Sequence, residues 1–283
     1  MSAARTLARR LVPRPVRNAL RSPRKSLRRV ADEMMHLAGA DPVVPVHPGW
    51  APRCHPAVAR FARANQLADP EQARELHGFI AECRPDMVLF DVGAHFGLLT
   101  LAALHHGGPG ARAVAVEPSP GAVRLLRVQA RLNGCEERLR VVQACASDEA
   151  GVREMISVGV LGDGFFVFPG EEYPERELAR TPAVTLDGLS AELGLHPTHV
   201  KIDVEGHEGA VLRGARGVLS RSPAPVLFLE LHGDLLRGRG ESPLDVLGQV
   251  TELGYALLSA DGAPLDARAA AARPLARIIA RRA

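Results

Sequence analysis

Residues 88–107, VLFDVGAHFGLLTLAALHHG, decide the fold. An apolar run ends in Asp91, Gly93 and Gly97 bracket a short turn, and a second apolar run starts at Leu98. This pattern predicts a buried strand, a glycine turn and a helix. Four further strand-like runs follow, RAVAVE (112–117), LRVVQAC (139–145), HVKIDV (199–204) and PVLFLE (225–230). Helix-like runs lie between and after them: GAVRLLRVQARLN ending at Gly134, HEGAVLRGARGVLS, and SPLDVLGQVTEL. Strands this continuously apolar belong to a sheet covered on both faces. The alternation predicts an α/β fold with a doubly wound, mostly parallel, Rossmann-like sheet. Two runs within 152–180, VREMISVG and GFFVFPG, predict a hairpin inserted before the fourth strand. The tail predicts a final strand pair around the Asp261-Gly262 turn.

The remaining composition sets bounds. With 283 residues, 46% of them hydrophobic, the chain can bury one large domain or two small ones. A net charge of +3 gives no reason to expect a nucleic-acid partner. Four widely spaced cysteines, Cys54, Cys83, Cys135 and Cys145, form no CxxC pattern, so no zinc site is expected. Cys83 and Cys145 sit among apolar residues, as buried thiols of a reducing compartment would. Without an apolar span or a secretory signal, the expected location is cytoplasmic.

Three segments emerge. Residues 1–40 begin with ten basic side chains between Arg5 and Arg29 and no acid before residue 31. That predicts a flexible basic arm, suited to weak contact with an anionic membrane surface; an organellar transit peptide has the same composition. Residues 41–84 read as an irregular and helical cap, with five prolines and Trp50 in 41–56 and a helix start at Asp69-Pro70. Residues 85–283 hold the alternating domain, with its insertion near 152–180.

Ligands of an open parallel sheet sit beyond the carboxyl ends of its strands. Gly93 and Gly97 there would let backbone approach a ligand. A dinucleotide site prefers GxGxxG, and Asp91 would repel a pyrophosphate. Glu117 ends the second strand, where an acid can take both ribose hydroxyls. Together these favour a cationic nucleoside without phosphates, a description that S-adenosylmethionine fits.

DVGAHFG, AVEPSP, Leu186-Asp187 of VTLDGL, KIDVEGHEGAVLRGA and LFLELH together resemble the FkbM-type family of S-adenosylmethionine-dependent methyltransferases. The resemblance runs from about Pro85 to about His232, and more loosely to the C-terminus. It implies a class I methyltransferase fold and methyl transfer to a hydroxyl oxygen of a natural product or a sugar. By motif position it implies that Asp91, Gly93, Ala94 and Gly97 line the methionine half of the cofactor, with His95 at or beside its carboxylate. His95 is a departure, since the family commonly has Asn there. Glu117 would hold the ribose, flanked by Pro118. Ser147 and Asp148 follow the third strand, where adenine rests in such folds.

KIDVEGHEG is the expected chemical centre. Lys201, Asp203 and Glu205 alternate, so they share one face of a strand while it lasts. A Lys201–Asp ion pair is the ordinary outcome of burying such charges. Asp203 and Glu205 should reach the ligand edge, Asp203 beside the cofactor as well. His232, past the fifth strand, is the first candidate for a general base because histidine titrates near neutrality; Asp203 or Glu205 is the second. The carboxylates could alternatively gather a divalent cation with oxygen ligands, as catechol-type methyltransferases do, but nothing in the spacing demands a metal. Phe165, Phe166, Phe168, Tyr173 and Trp50 could wall an acceptor pocket. The expected acceptor is a small molecule or a saccharide. Two alternatives stand beside this reading, an NAD-dependent oxidoreductase on a similar sheet and a non-catalytic nucleoside-binding module.

Overall fold

The computed structural model describes residues 23–65, 67–156, 165–166 and 178–282. Phe168, Tyr173, the arm before residue 23 and most of the inserted hairpin lie outside the described residues.

The described helices are α1 (Pro23–Leu37), α2 (Pro56–Ala64), α3 (Pro70–Glu82), α4 (Leu98–His106), α5 (Pro120–Leu132), α6 (Leu186–Leu193), α7 (Glu208–Arg213), α8 (Arg216–Leu219), α9 (Gly233–Gly238), α10 (Pro243–Glu252) and α11 (Ala267–Ala271). Several start as the sequence dictates. Asp69, Ser119 and Ser242 each cap a first turn whose next residue is proline, and each side chain accepts a backbone N–H.

The main strands are β1 (Val88–Val92), β2 (Arg112–Val116), β3 (Leu139–Val142), β8 (His199–Ile202), β9 (Val226–Leu231), β10 (Tyr255–Leu258) and β11 (Ala276–Arg282). They form one sheet in the order β10-β11-β9-β8-β1-β2-β3. The five strands from β9 to β3 run parallel, and β11 and β10 pair antiparallel. The chain winds outward from β1 through β2 to β3, then returns to β8 on the other side of β1. That reversal is the switch point, where open sheets bind ligands.

β1 shows why its run is so apolar. Phe90 and Val92 face one buried cluster with β2, β8 and β9, while Leu89 faces the other with α3 and α4. Both faces are covered, and burying Leu89 and Phe90 contributes about 2 kcal/mol each. Asp91 shares the Leu89 side of this strand and is 1% exposed.

Four expectations need correction. LRVVQAC is not one strand: β3 stops at Val142, and β4 (Cys145–Ala146) joins a second sheet in the order β4-β7-β5-β6. Its other members are β5 (Gly151–Ile156), β6 (Phe165–Phe166) and β7 (Leu178–Val184), so the hairpin is part of a small sheet of its own. HEGAVLRGARGVLS is broken into α7 and α8 at Gly214–Ala215, where Gly214 packs so tightly on the Ser147 carbonyl that a Cβ would lie 2.1 Å from it. The final strand pair exists, but its connection spans residues 259–275 and includes α11, and β11 inserts between β9 and β10. The stretch 23–37, counted with the basic arm, is helical and is held by ion pairs from Asp32 to Arg60 (2.5 Å) and from Glu33 to Arg124.

Candidate active site

Two cavities open at the carboxyl ends of β1, β2 and β8. The first is an open cleft bounded by Gly93, His95, Glu117, Pro118, the backbone run Ala144–Ala146, Met155, Asp203, Val204 and Glu205. The second lies beside it under α2 and α3, and its walls include Phe61, Gln72, Glu75, Lys201, Glu230, His232 and Arg277. Gly93, His95, Asp203 and Glu205 line both.

Glu117 is the anchor of the first cavity. It is 7% exposed, and each carboxylate oxygen accepts one backbone N–H at 2.8 Å, from His95 and from Ser119. Burial pushes its carboxyl above the ordinary range, and the two N–H bonds oppose that shift. Each oxygen keeps a lone-pair direction for one hydroxyl of a vicinal diol. Ala144, Cys145, Ala146 and Met155 form an apolar wall fit for a planar base. A diol anchor beside an apolar slot, without a phosphate cradle, fits an adenosine bearing a sulfonium arm.

The glycines act differently from the expectation. Gly93 has φ +75°, and a Cβ there would lie 1.8 Å from the Asp203 carbonyl oxygen. Gly97 has φ +83°, and its Cβ would meet the Leu126 side chain at 2.0 Å. Both seat the turn on its own protein neighbours, and Gly93 also lines both cavities, whereas Gly97 lines neither. His95 also takes a left-handed φ of 52°, and its ring packs edge-on to Phe61.

Asp91 turns away from the cofactor cleft. Its Oδ2 accepts the Thr100 hydroxyl at 2.5 Å, and its Oδ1 lies 3.5 Å from Lys201 Nζ. Asp91 and Ala94 border the second cavity. Gly97, Ser147 and Asp148 line neither cavity. Ser147 Oγ donates to Asp148 at 3.1 Å, and Asp148 pairs with Arg213 at 3.0 Å, which with the Ser147 bond outweighs partial burial and holds its carboxyl below the ordinary range. Ser147 and Asp148 stand just past the apolar wall formed by Ala144–Ala146. Met155 and Val204 complete it, and composition gave no signal for either. Trp50 is 5% exposed and stacks on His105, away from both cavities.

The charges of the second cavity form a network. Lys201, 6% exposed and in register with Asp91 across β1 and β8, pairs with Asp203 at 3.2 Å and donates to the Gly93 carbonyl at 2.8 Å. Burial alone would lower its pKa; Asp203 and Asp91 reverse this and raise it. Burial likewise favours protonated Asp203, but Lys201, with help from His232, holds that carboxyl below the ordinary range. Arg277 bonds Glu230 at 2.7 Å and Glu75 at 2.9 Å. Burial, then the charges of Asp203 and Glu75, push Glu230 up to about 8.

His232 is the centre of the remaining acids. Its Nδ1 bonds Glu208 Oε1 at 2.8 Å, and Glu208 is fully buried. Its Nε2 lies 3.8 Å from Asp203 Oδ1 and 3.6 Å from Glu205 Oε2. Burial opposes a positive charge on the ring, yet the Glu208 bond and the three acids outweigh it and push His232 up to about 9. The assumption of a histidine titrating near neutrality fails here, because three carboxylates surround the ring.

A doubly wound sheet with a buried acid after its second strand and a cleft at its switch point is the arrangement of Rossmann-like S-adenosylmethionine-dependent methyltransferases. Residues 91–257 match the methyltransferase FkbM domain, and the chain belongs to that family. S-adenosylmethionine is accordingly its cofactor. Over 82 residues the chain is 45% identical to the 31-O-demethyl-FK506 methyltransferase FkbM of Streptomyces tacrolimicus. The matched segment spans 28% of this chain and 28% of that relative. Among solved structures, a precorrin-6y C5,15-methyltransferase of Geobacter metallireducens aligns with TM-score 0.42 and 15% identity, over 74% of this chain and 86% of the other. A TehB-like SAM-dependent methyltransferase of Corynebacterium glutamicum aligns with TM-score 0.40 and 11% identity, over 80% of this chain and 97% of the other. Among the described residues, no helix is long and apolar enough to cross a membrane.

Proposed function

We propose that the protein transfers the methyl group of S-adenosylmethionine to a hydroxyl oxygen of a small natural product or a saccharide. The observation that carries this reading is the shared wall of the two cavities, formed by Gly93, His95, Asp203 and Glu205. A donor in the cleft and an acceptor in the neighbouring cavity meet across two carboxylates. Bound S-adenosylmethionine supplies an activated methyl on a sulfonium. The protein must hold the acceptor oxygen in line with it and take up the hydroxyl proton. Asp203 and Glu205 stand where that proton leaves. His232, held by Glu208, orients those carboxylates in this reading and does not serve as the base.

The acids of the second cavity also favour a neutral, hydroxyl-rich acceptor. Asp203 and Glu205 at the shared wall would repel a phosphodiester backbone, and Lys201 and Arg277 are engaged by carboxylates. A weak membrane-surface contact belongs to the same reading. On α1, Leu27, Val30, Met34 and Leu37 are exposed at helical spacing beside exposed Arg28 and Arg29, while Asp32 and Glu33 face inward to arginines.

The test is transfer of tritiated methyl from S-adenosylmethionine to a panel of saccharides, macrolactones and transfer RNA, with the methylated atom located by NMR. An O-methyl product on a saccharide or macrolactone is expected. Methylation of nitrogen, or of RNA alone, would overturn the reading.

A further inference from the structure

Three side chains from two neighbouring strand ends converge where the cavities meet. Asp203 and Glu205 follow β8, and His232 follows β9, which pairs beside it. One ligand atom from each lies within 4.8 Å of the other two. We propose that Asp203, Glu205 and His232 form a divalent-cation site that binds the hydroxyl group of the acceptor.

Three observations build the case. The donor set is two carboxylate oxygens and one imidazole nitrogen, a mixture suited to Mn²⁺ and related octahedral ions. The spacing is close to a coordination shell. Ligands at right angles and about 2.1 Å from an ion lie about 3 Å apart, and Nε2 stands 3.8 Å from Asp203 Oδ1 and 3.6 Å from Glu205 Oε2. Shifts of about 0.8 Å by the Asp203 carboxylate and about 0.6 Å by the Glu205 carboxylate close these two differences.

The histidine is oriented from behind. Fully buried Glu208 accepts from Nδ1 at 2.8 Å, and its Oε1 also accepts the Gly206 N–H at 2.8 Å, so the ring is fixed with Nε2 toward the two carboxylates. A carboxylate behind a ligating histidine is the usual way of fixing its tautomer and direction.

The role of the ion rests on the methyl-transfer reading; its binding does not. An ion with three protein ligands keeps positions open toward the second cavity for a hydroxyl oxygen. With the ion bound, Asp203 and Glu205 serve as its ligands instead of taking the proton directly; the ion lowers the pKa of the hydroxyl, and its proton leaves to water in the open cavity. The oxygen then forms its bond to the methyl carbon as the carbon–sulfur bond breaks with its electron pair on sulfur. A vicinal diol could take two open positions, which fits a saccharide.

The experiment titrates the full chain with Mn²⁺ alone, read by enhancement of water proton relaxation, with Mg²⁺ as competitor. One saturable Mn²⁺ per chain is expected. His232→Ala and Glu208→Gln should each weaken it about 10- to 100-fold, with the variants shown to be folded by circular dichroism. S-adenosylhomocysteine affinity, measured separately by calorimetry, should change less than twofold in His232→Ala. No saturable Mn²⁺, or equal Mn²⁺ affinity in both variants, overturns the site. Mn²⁺ binding without any S-adenosylhomocysteine binding would leave the site standing and remove the methyl-transfer reading instead.

Discussion

Replacing Lys201 by methionine tests how the floor of the site is held together. The ammonium is 6% exposed, lies 3.5 Å from an Asp91 carboxylate that is 1% exposed, and donates to the Gly93 carbonyl. Methionine keeps most of the volume and removes the charge. Asp91 would then keep one hydrogen bond, from Thr100, and no cation. Breaking a buried pair from one side costs about 3–5 kcal/mol. For a chain of this size each kcal/mol moves the melting temperature by about 2–4 °C, so a fall of roughly 10 °C is expected. Urea unfolding followed by circular dichroism measures the loss directly. The double variant Lys201→Met with Asp91→Asn removes the orphaned charge and should recover a large part of the stability. A single variant within about 1 kcal/mol of the parent, or a double variant as unstable as the single one, would refute this account of the buried pair.

Three further outcomes follow from the same geometry. Glu117→Ala removes the diol anchor while leaving the apolar slot, and should weaken S-adenosylhomocysteine about 10- to 100-fold by calorimetry, as expected for losing hydrogen bonds to a charged group; unchanged affinity removes Glu117 from the cofactor site. His199 is 2% exposed, and burial lowers its pKa, against a bond to the Glu82 carbonyl. A depressed histidine pKa gives stability that is complete above about pH 6.5 and lost as pH falls, so His199→Gln should show a shallower loss of stability between pH 7 and pH 5; parallel pH profiles would count against it. The basic arm and the exposed face of α1 should bind vesicles containing phosphatidylglycerol, and 0.5 M salt should release them; equal binding to neutral vesicles would remove the electrostatic part.

The sheet was legible because its signals are local. Each strand–helix unit carries its own apolar run and its own stop, so β1, β2, β8 and β9 could be placed to within a residue or two. The failures occurred where long-range packing overrides local pattern. Nothing in LRVVQAC marks Val142 as the place where the chain leaves one sheet for another. Nor does HEGAVLRGARGVLS show that Gly214 must clear the Ser147 carbonyl. At the site, Glu117, Asp203, Glu205 and His232 stood out because acids and a histidine at strand ends have few structural uses. Asp91 misled because its partner, Lys201, is 110 residues away in sequence and adjacent only across the sheet. His232 misled in another sense: its identity was readable, but its three acidic neighbours arrive from two strand ends and a helix start.

The contact between Gly93 and the Asp203 carbonyl constrains how this enzyme can diversify. The donor-side loop rests directly on the segment bearing the reactive carboxylates, so neither can be remodelled without disturbing the other. The opposite wall comes from α2 and α3, where Phe61 packs on His95 and Glu75 pairs with Arg277, so its contacts with the donor side run through side chains alone. Sequence drift in residues 56–82 can therefore reshape that wall by exchanging side chains, without moving the backbone beyond residue 85.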